Sequence, residues 1–395
     1  MRRNLYIIIT GFLIQLTTMA FGRFAYTLIL PDMMQTLKLT NTHMGTLGMG
    51  IVAGYLLNSH FSGKLSKTIG EEQTVKASML LISISLAGLG FFSSFGVLLS
   101  LSVLLGAAAA GSYVPLVSIL NRHFKHKGSA FGIVMGGAGA GIMLCGYIIP
   151  PLLILSEKLG YRTSWYALAA INFVIFIPAL IFLKNSNITE KDPRERIREK
   201  TILNALKTNR PLLITVTIYF LVGFSYIIYA TYFGAYSINE IGFSTRATGT
   251  MWSLFGINSI YSGLLWGMLL DRFQKTRISS FATSLLALSI LIIIPFKSEL
   301  LFYTSTFLFG LSFMGFIVAM ASLISDEVKA DEMSGIFGSS TLIHGAGQVV
   351  GAFLAGYLKD ITGTFKIPFS MSFLITLLCT VLFMIMRKWH SGASE

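Results

Sequence analysis

The chain has 395 residues, of which 54% are hydrophobic and only 12% charged, with a formal net charge of +13. A soluble domain carries roughly a quarter of its residues charged, so this composition excludes a water-soluble enzyme or binding module and indicates an integral membrane protein. The two cysteines, Cys145 and Cys379, stand singly in apolar runs and supply neither a disulfide framework nor a metal site.

A helix needs about 20 apolar residues to cross the hydrocarbon core. Arg2 and Arg3 precede the first such run. No small-x-small cleavage site ends it and it is too long for a signal peptide, so 5–36 reads as a first span. Eleven more follow at 43–65, 75–94, 97–120, 128–155, 164–183, 210–238, 246–270, 278–295, 299–325, 334–359 and 367–387. The connectors are short except 184–209, KNSNITEKDPRERIREKTILNALKTN, a charged, water-exposed and partly helical linker. The predicted fold is all-α and membrane-integral. Its twelve transmembrane helices form two pseudo-symmetric bundles of six, over 1–184 and 210–395, with the cytoplasmic linker over 185–209.

Along the spans, polar residues at depth are few. The first contains MAFGRFAYTLILPDM (19–33), with Arg23 somewhat past the midplane. An arginine there costs roughly 3 kcal/mol on insertion scales, so it faces a watery cavity or a partner. One reading is an anchor for a carboxylate or sulfonate, which guanidinium grips bidentately. The other is an architectural role: snorkelling to the headgroups, or pairing with backbone carbonyls or with Asp32. Gln15 lies in the same span. His60, near the end of the second, reads as structural or gating. Tyr113 in the fourth span and Asn172 in the sixth are polar liners. The fifth, GIVMGGAGAGIMLCGYIIPPL (132–152), has glycines spaced for close helix contact. It follows no strand and lacks a Lys-Ser/Thr pair, so it is not a nucleotide loop. The seventh span is crowded with tyrosines, of which Tyr226 and Tyr229 reach mid-depth as an amphipathic wall. Asn258 is a polar position in the eighth. In the eleventh, His344 sits near mid-depth with Gln348 one turn on and Ser340 one turn back. This histidine either carries a coupled proton or makes a neutral interhelical hydrogen bond.

Three patterns run over the whole chain. All 17 Asp and Glu fall at span ends or in loops, so no carboxylate is available at mid-depth for a cationic substrate. With the N-terminus inside, inner segments hold 22 Lys and Arg against 7 outside. This bias puts both termini in the cytoplasm and accounts for the basic charge without nucleic acid. A shift of 204 residues superposes LTNTHMGTL (39–47) on FSTRATGTM (243–251), and one of 206 puts GSAFG (128–132) on SGIFG (334–338). Two duplicated six-helix halves are a carrier architecture with a central site.

The loop GMLLDRFQKTR (267–277), through Gly267, Asp271, Arg272 and Lys275, resembles the loop signature of the major facilitator superfamily. GRFAYTLILPDM resembles the YbfB/YjiJ-like branch of that superfamily. It is also similar to the first helix of oxalate/formate and monocarboxylate carriers. The first-half copy of the loop, GKLSKTIGEE (63–72), departs from the pattern. It keeps Gly63, but Lys67 stands at the Asp position and Glu71 and Glu72 where bases are usual. The resemblance implies a secondary carrier without cofactor or metal, monomeric in a bacterial cytoplasmic membrane, with these two loops as gates. A small organic anion is the expected substrate, bound by Arg23, Tyr113, Tyr226, Tyr229, Asn258, His344 and Gln348, with His344 as proton carrier. Efflux of a neutral or drug-like compound, or a non-transporting membrane sensor, are the alternatives. No nucleophile motif or buried carboxylate pair suggests an enzyme.

Overall fold

The computed structural model describes residues 2–124, 127–155, 159–183, 202–329 and 332–392, and among them there are helices and no strands. The first span is α1 (Arg2–Gln15), a π-helical stretch Leu16–Phe24, and α2 (Tyr26–Leu37). Next come α3 (Asn41–Ile69), α4 (Glu71–Phe91), α5 (Phe95–His123), α6 (Lys127–Leu155) and α7 (Gly160–Phe182). The short α8 (Ile202–Thr208) belongs to the predicted linker. The remaining helices are α9 (Arg210–Ala235), which runs into a π-helical turn Tyr236–Ile241, α10 (Thr245–Arg272), α11 (Lys275–Ile292), α12 (Glu299–Glu327), α13 (Met333–Thr362) and α14 (Lys366–Gly392). Linker residues 184–201 and the side chain of His60 lie outside the described residues.

Eleven of these helical segments are long and apolar enough to cross a membrane. The second predicted span, α3, has 29 residues but is not among the eleven. Asn58, Ser59 and Ser62 dilute its apolar run, and its glycines serve packing instead. A Cβ on Gly54 would stand 1.9 Å from the Val103 carbonyl oxygen, and one on Gly106 1.8 Å from that of Ile51. These positions admit no side chain, and they let α3 and α5 touch backbone to backbone. Gly70, at φ +93°, turns α3 into α4 through a backbone conformation that other residues rarely adopt.

The chain divides into two compact units that do not follow the sequence halves. Unit 1 holds Met1–Thr189, Ala230–Ile260 and Ala352–Phe365; unit 2 holds Glu190–Tyr229, Tyr261–Gly351 and Lys366–Glu395. The physical reason lies inside unit 1, where ends of second-half helices pack on first-half helices. A Cβ on Gly234 would meet the Thr27 carbonyl oxygen at 2.2 Å, and one on Gly356 that of Asn41 at 2.2 Å. Tyr232 donates its hydroxyl to the Ala352 carbonyl at 3.0 Å. Asp360 accepts from the backbone N–H groups of Asn41 and Thr42 at 3.0 and 2.7 Å and from both their side chains. That carboxylate sits on the start of α3, where unsatisfied N–H groups and the helix dipole favour an anion.

Unit 2 is tied by hydroxyls. Ser225 on α9 bonds Ser372 and Thr376 on α14, and Thr380 donates to Thr283 on α11. In lipid, such groups must find partners inside the protein.

Candidate functional site

In unit 1, Arg23 lies in the π-helical stretch of the first span. The winding is marked by Ala25 N–H donating to the Ala20 carbonyl, five residues back, at 2.9 Å. π-type winding recurs at functional sites. Two neighbours fix it. On one side are the fifth-span glycines: a Cβ on Gly137 would meet the Phe12 carbonyl oxygen at 2.2 Å, and one on Gly141 that of Leu16 at 2.1 Å. On the other, Trp252 donates its indole N–H to the Phe24 carbonyl at 3.1 Å. The fifth-span glycines thus serve two partners, since Gly139 and Gly146 meet α10 at Gly256 and Gly249. Gly22 and Phe24 are buried, while Arg23 between them is half-buried. Its guanidinium lies 5.8 Å from the centre of the Phe24 ring. Asp32, the carboxylate that an architectural role would pair with Arg23, accepts from Tyr161 N–H at 2.7 Å at the start of α7.

The other unit 1 residues named from sequence are engaged locally. Gln15 donates to the Met135 sulfur at 3.3 Å and accepts from Thr18 at 3.2 Å. Asn172 ties α7 to α4 through the Met79 carbonyl and the Ser83 hydroxyl, both at 2.8 Å. Asn258 is buried and donates to the Leu254 carbonyl one turn back at 2.8 Å. Tyr113 is half-buried on α5.

Unit 2 gathers His344 and Tyr226 into a slot that sequence reasoning did not foresee. Tyr219 and Tyr226 are seven residues apart on α9, a rise of about 10.5 Å, and Gly223 lies between them. The His344 ring enters this gap. It stacks on Tyr219 at 4.2 Å and 18°, and on Tyr226 at 5.8 Å and 11°. Gly223 forms the floor, for a Cβ there would stand 2.6 Å from His344 Nδ1. Phe316 tilts against the imidazole at 5.9 Å. His344 Nδ1 lies 2.8 Å from the Tyr219 carbonyl. An oxygen of that kind only accepts, so Nδ1 carries the proton in this contact. The available signal was Tyr219-x3-Gly223-x2-Tyr226, two rings flanking a glycine on one helix face.

Gln348, one turn on from His344, is buried on the same helix. Tyr229 belongs to a different contact set. It is buried, its ring stacks on Phe309 at 4.1 Å, and its hydroxyl bonds Ser305 at 2.7 Å.

Among the described residues, a Cβ on Gly63 or Gly267 would meet nothing within 4 Å. Lys67, Asp271 and Arg272 are exposed at the ends of α3 and α10. The ion pairs lie beyond them. Arg122 at the end of α5 reaches Glu71 at 2.9 Å and Glu72 at 2.6 Å, and Lys275 reaches Asp326 at 2.6 Å. Arg122 gave no signal in the loop motif, being 50 residues from it. Among the described residues no cluster of His, Cys, Asp and Glu is suited to a metal.

Residues 15–384 match the family described as "Uncharacterised MFS-type transporter YbfB". The chain is 27% identical to multidrug resistance protein MdtG of Proteus mirabilis, over 75% of this chain and 74% of that protein. It is 25% identical to monocarboxylate transporter 12 of Xenopus laevis, over 83% and 75% respectively. Among solved structures, the nucleoside transporter NupG has a similar fold, with a TM-score of 0.80 at 15% identity, covering 98% of this chain and 100% of that one.

Proposed function

The chain belongs to the major facilitator superfamily, in the branch of uncharacterised YbfB-type transporters, and from that premise we propose that it carries a small organic solute, preferably an anion. It is a multi-pass membrane transporter, not an enzyme. In our reading it works in a bacterial cytoplasmic membrane, with both termini inside, by alternating access driven by an ion or solute gradient. The observation that carries the anion preference is Arg23, a half-buried cation in a π-wound stretch of a membrane span. Retaining a charge there is expensive, and a bidentate hold on a carboxylate or sulfonate is a use that offsets the expense. In the reading, Tyr113, Tyr226 and Gln348 line the solute path. Tyr229 and Asn258 join it only by giving up Ser305 and Leu254. His344 holds the coupled proton at Nε2, against the titratable rings of Tyr219 and Tyr226.

The test is ligand-induced stabilisation of the purified protein by a panel of carboxylates, sulfonates, cations and neutral aromatics. A ligand at 100 times its Kd stabilises the folded form by about 2.7 kcal/mol. An anion should stabilise wild type and not Arg23→Gln, and uptake into vesicles should fail in that variant while its melting point holds. Normal uptake by Arg23→Gln overturns the anchor. His344→Gln should flatten the pH profile of uptake, and an unchanged profile removes histidine from coupling.

The second reading is efflux of neutral, aromatic or drug-like compounds. It is favoured by the aromatic surroundings of His344 and by the similarity to a protein named for multidrug resistance. Stabilisation by neutral aromatics alone, equal in wild type and Arg23→Gln, would select it.

A further inference from the structure

We propose that the start of α11 binds the phosphodiester headgroup of an anionic phospholipid. The site is independent of the transported solute. A crevice of about 240 Å³ opens there, lined by Thr276, Arg277, Ser280, Phe281 and Ser284 of α11 and Met384 of α14.

Three observations make it an anion site. The first is an orphaned donor. Thr276 is only 4% exposed, and its hydroxyl has no hydrogen-bond partner among the described residues. A buried hydroxyl left unsatisfied costs about 1–3 kcal/mol, so a ligand that accepts from it is favoured. The neighbouring hydroxyls are already committed, Ser284 to the Ser280 carbonyl and Ser280 to that of Thr380. The second is a cation. Lys275 is taken by Asp326, whereas no acid among the described residues pairs with the exposed Arg277. The third is the helix start itself. Gln274 provides no side-chain cap, and the first turn of α11 holds no acid. The positive end of this 18-residue helix is therefore left for an external anion.

The walls identify a lipid. Thr276 and Arg277 are the second and third residues of a membrane-spanning segment, Lys275–Ile292, and so stand at headgroup level. Ser284 is about 10.5 Å further along the helix. Phe281, 54% exposed, and Met384, 52% exposed, give that deeper part an apolar face suited to an acyl chain. A soluble phosphate would satisfy Thr276 and Arg277 and leave these walls uncovered. Basic pockets between membrane helices are a known class of headgroup site.

The experiment is native mass spectrometry of the delipidated full-length protein in detergent, titrated with phosphatidylglycerol, phosphatidylcholine or inorganic phosphate. Wild type should hold phosphatidylglycerol in preference to phosphatidylcholine. Arg277→Gln should weaken phosphatidylglycerol about fivefold, the weight of one basic side chain at a membrane surface, and leave phosphatidylcholine unchanged. Arg277 is exposed, so the variant should melt with wild type. Thr276→Val, close in shape, should weaken the same lipid in the same direction and guards against a folding artefact in the first variant. Equal binding of the two lipids, or of phosphatidylglycerol by wild type and both variants, overturns the site. Displacement of the lipid by millimolar inorganic phosphate overturns the lipid assignment.

Discussion

In the first half of the chain Arg122, at the end of α5, holds Glu71 and Glu72 at the start of α4; in the second half Lys275, at the start of α11, holds Asp326 at the end of α12. The 204-residue shift that aligns the halves takes 71 to 275 and 122 to 326. The two pairs therefore occupy equivalent corners with their charges exchanged. A helix start favours acids and a helix end favours bases. The first pair agrees with both of its helix dipoles, and the second opposes both. Burial differs as well: the Glu72 side chain is 3% exposed and that of Asp326 is 52% exposed. Each corner ties a helix start to a helix end, with opposite polarity, and the first turn of the second helix start, beside Thr276, holds no acid and no side-chain cap.

The sharpest way to break this comparison is Arg122→Gln. It removes the cation that holds the buried Glu72 carboxylate at 2.6 Å, and loss of a buried ion-pair partner costs about 3 kcal/mol. A large drop in thermal stability in detergent is the expected result, and an unchanged midpoint would mean the first pair is not structural. Next is an exchange made on a Glu71→Gln background, Glu72→Lys with Arg122→Glu, which gives the first corner the polarity of the second without setting the new carboxylate against that of Glu71. The pair re-forms, so most of the loss should be recovered. A shortfall of about 1 kcal/mol should remain from the two opposed dipoles; full recovery would show that the dipoles have no weight here. The smallest effect is expected for Asp326→Asn, under about 1 kcal/mol, because exposed ion pairs are worth little. A loss there as large as for Arg122→Gln would erase the asymmetry between the corners.

The departures of the first gating loop from its family pattern were visible in Lys67, Glu71 and Glu72, but their resolution was not. Arg122 is distant in sequence, and only the antiparallel packing of α4 and α5 brings it to the corner. The same limit applies to the tyrosines of α9. Sequence placed Tyr226 and Tyr229 together at mid-depth. Three residues turn a helix by most of a revolution, and the structure sends one ring to His344 and the other to Phe309 and Ser305.

From the sequence alone came twelve expected spans, eleven of them matched by helical segments long and apolar enough to cross a membrane, together with the internal similarity, the charge bias and the loop signature that led to a carrier fold. These are legible because water and lipid act locally: a span must be apolar over its own length, and its backbone must bond to itself. The tertiary structure decided the π winding at Arg23, the Tyr219–Gly223–Tyr226 slot around His344, the exchanged ion pairs and the unsatisfied hydroxyl of Thr276. Each depends on which helix face meets which neighbour. Hydropathy does not encode that choice, because inside a membrane the lipid-facing and protein-facing sides of a helix are equally apolar, and close packing and hydrogen bonds select between them.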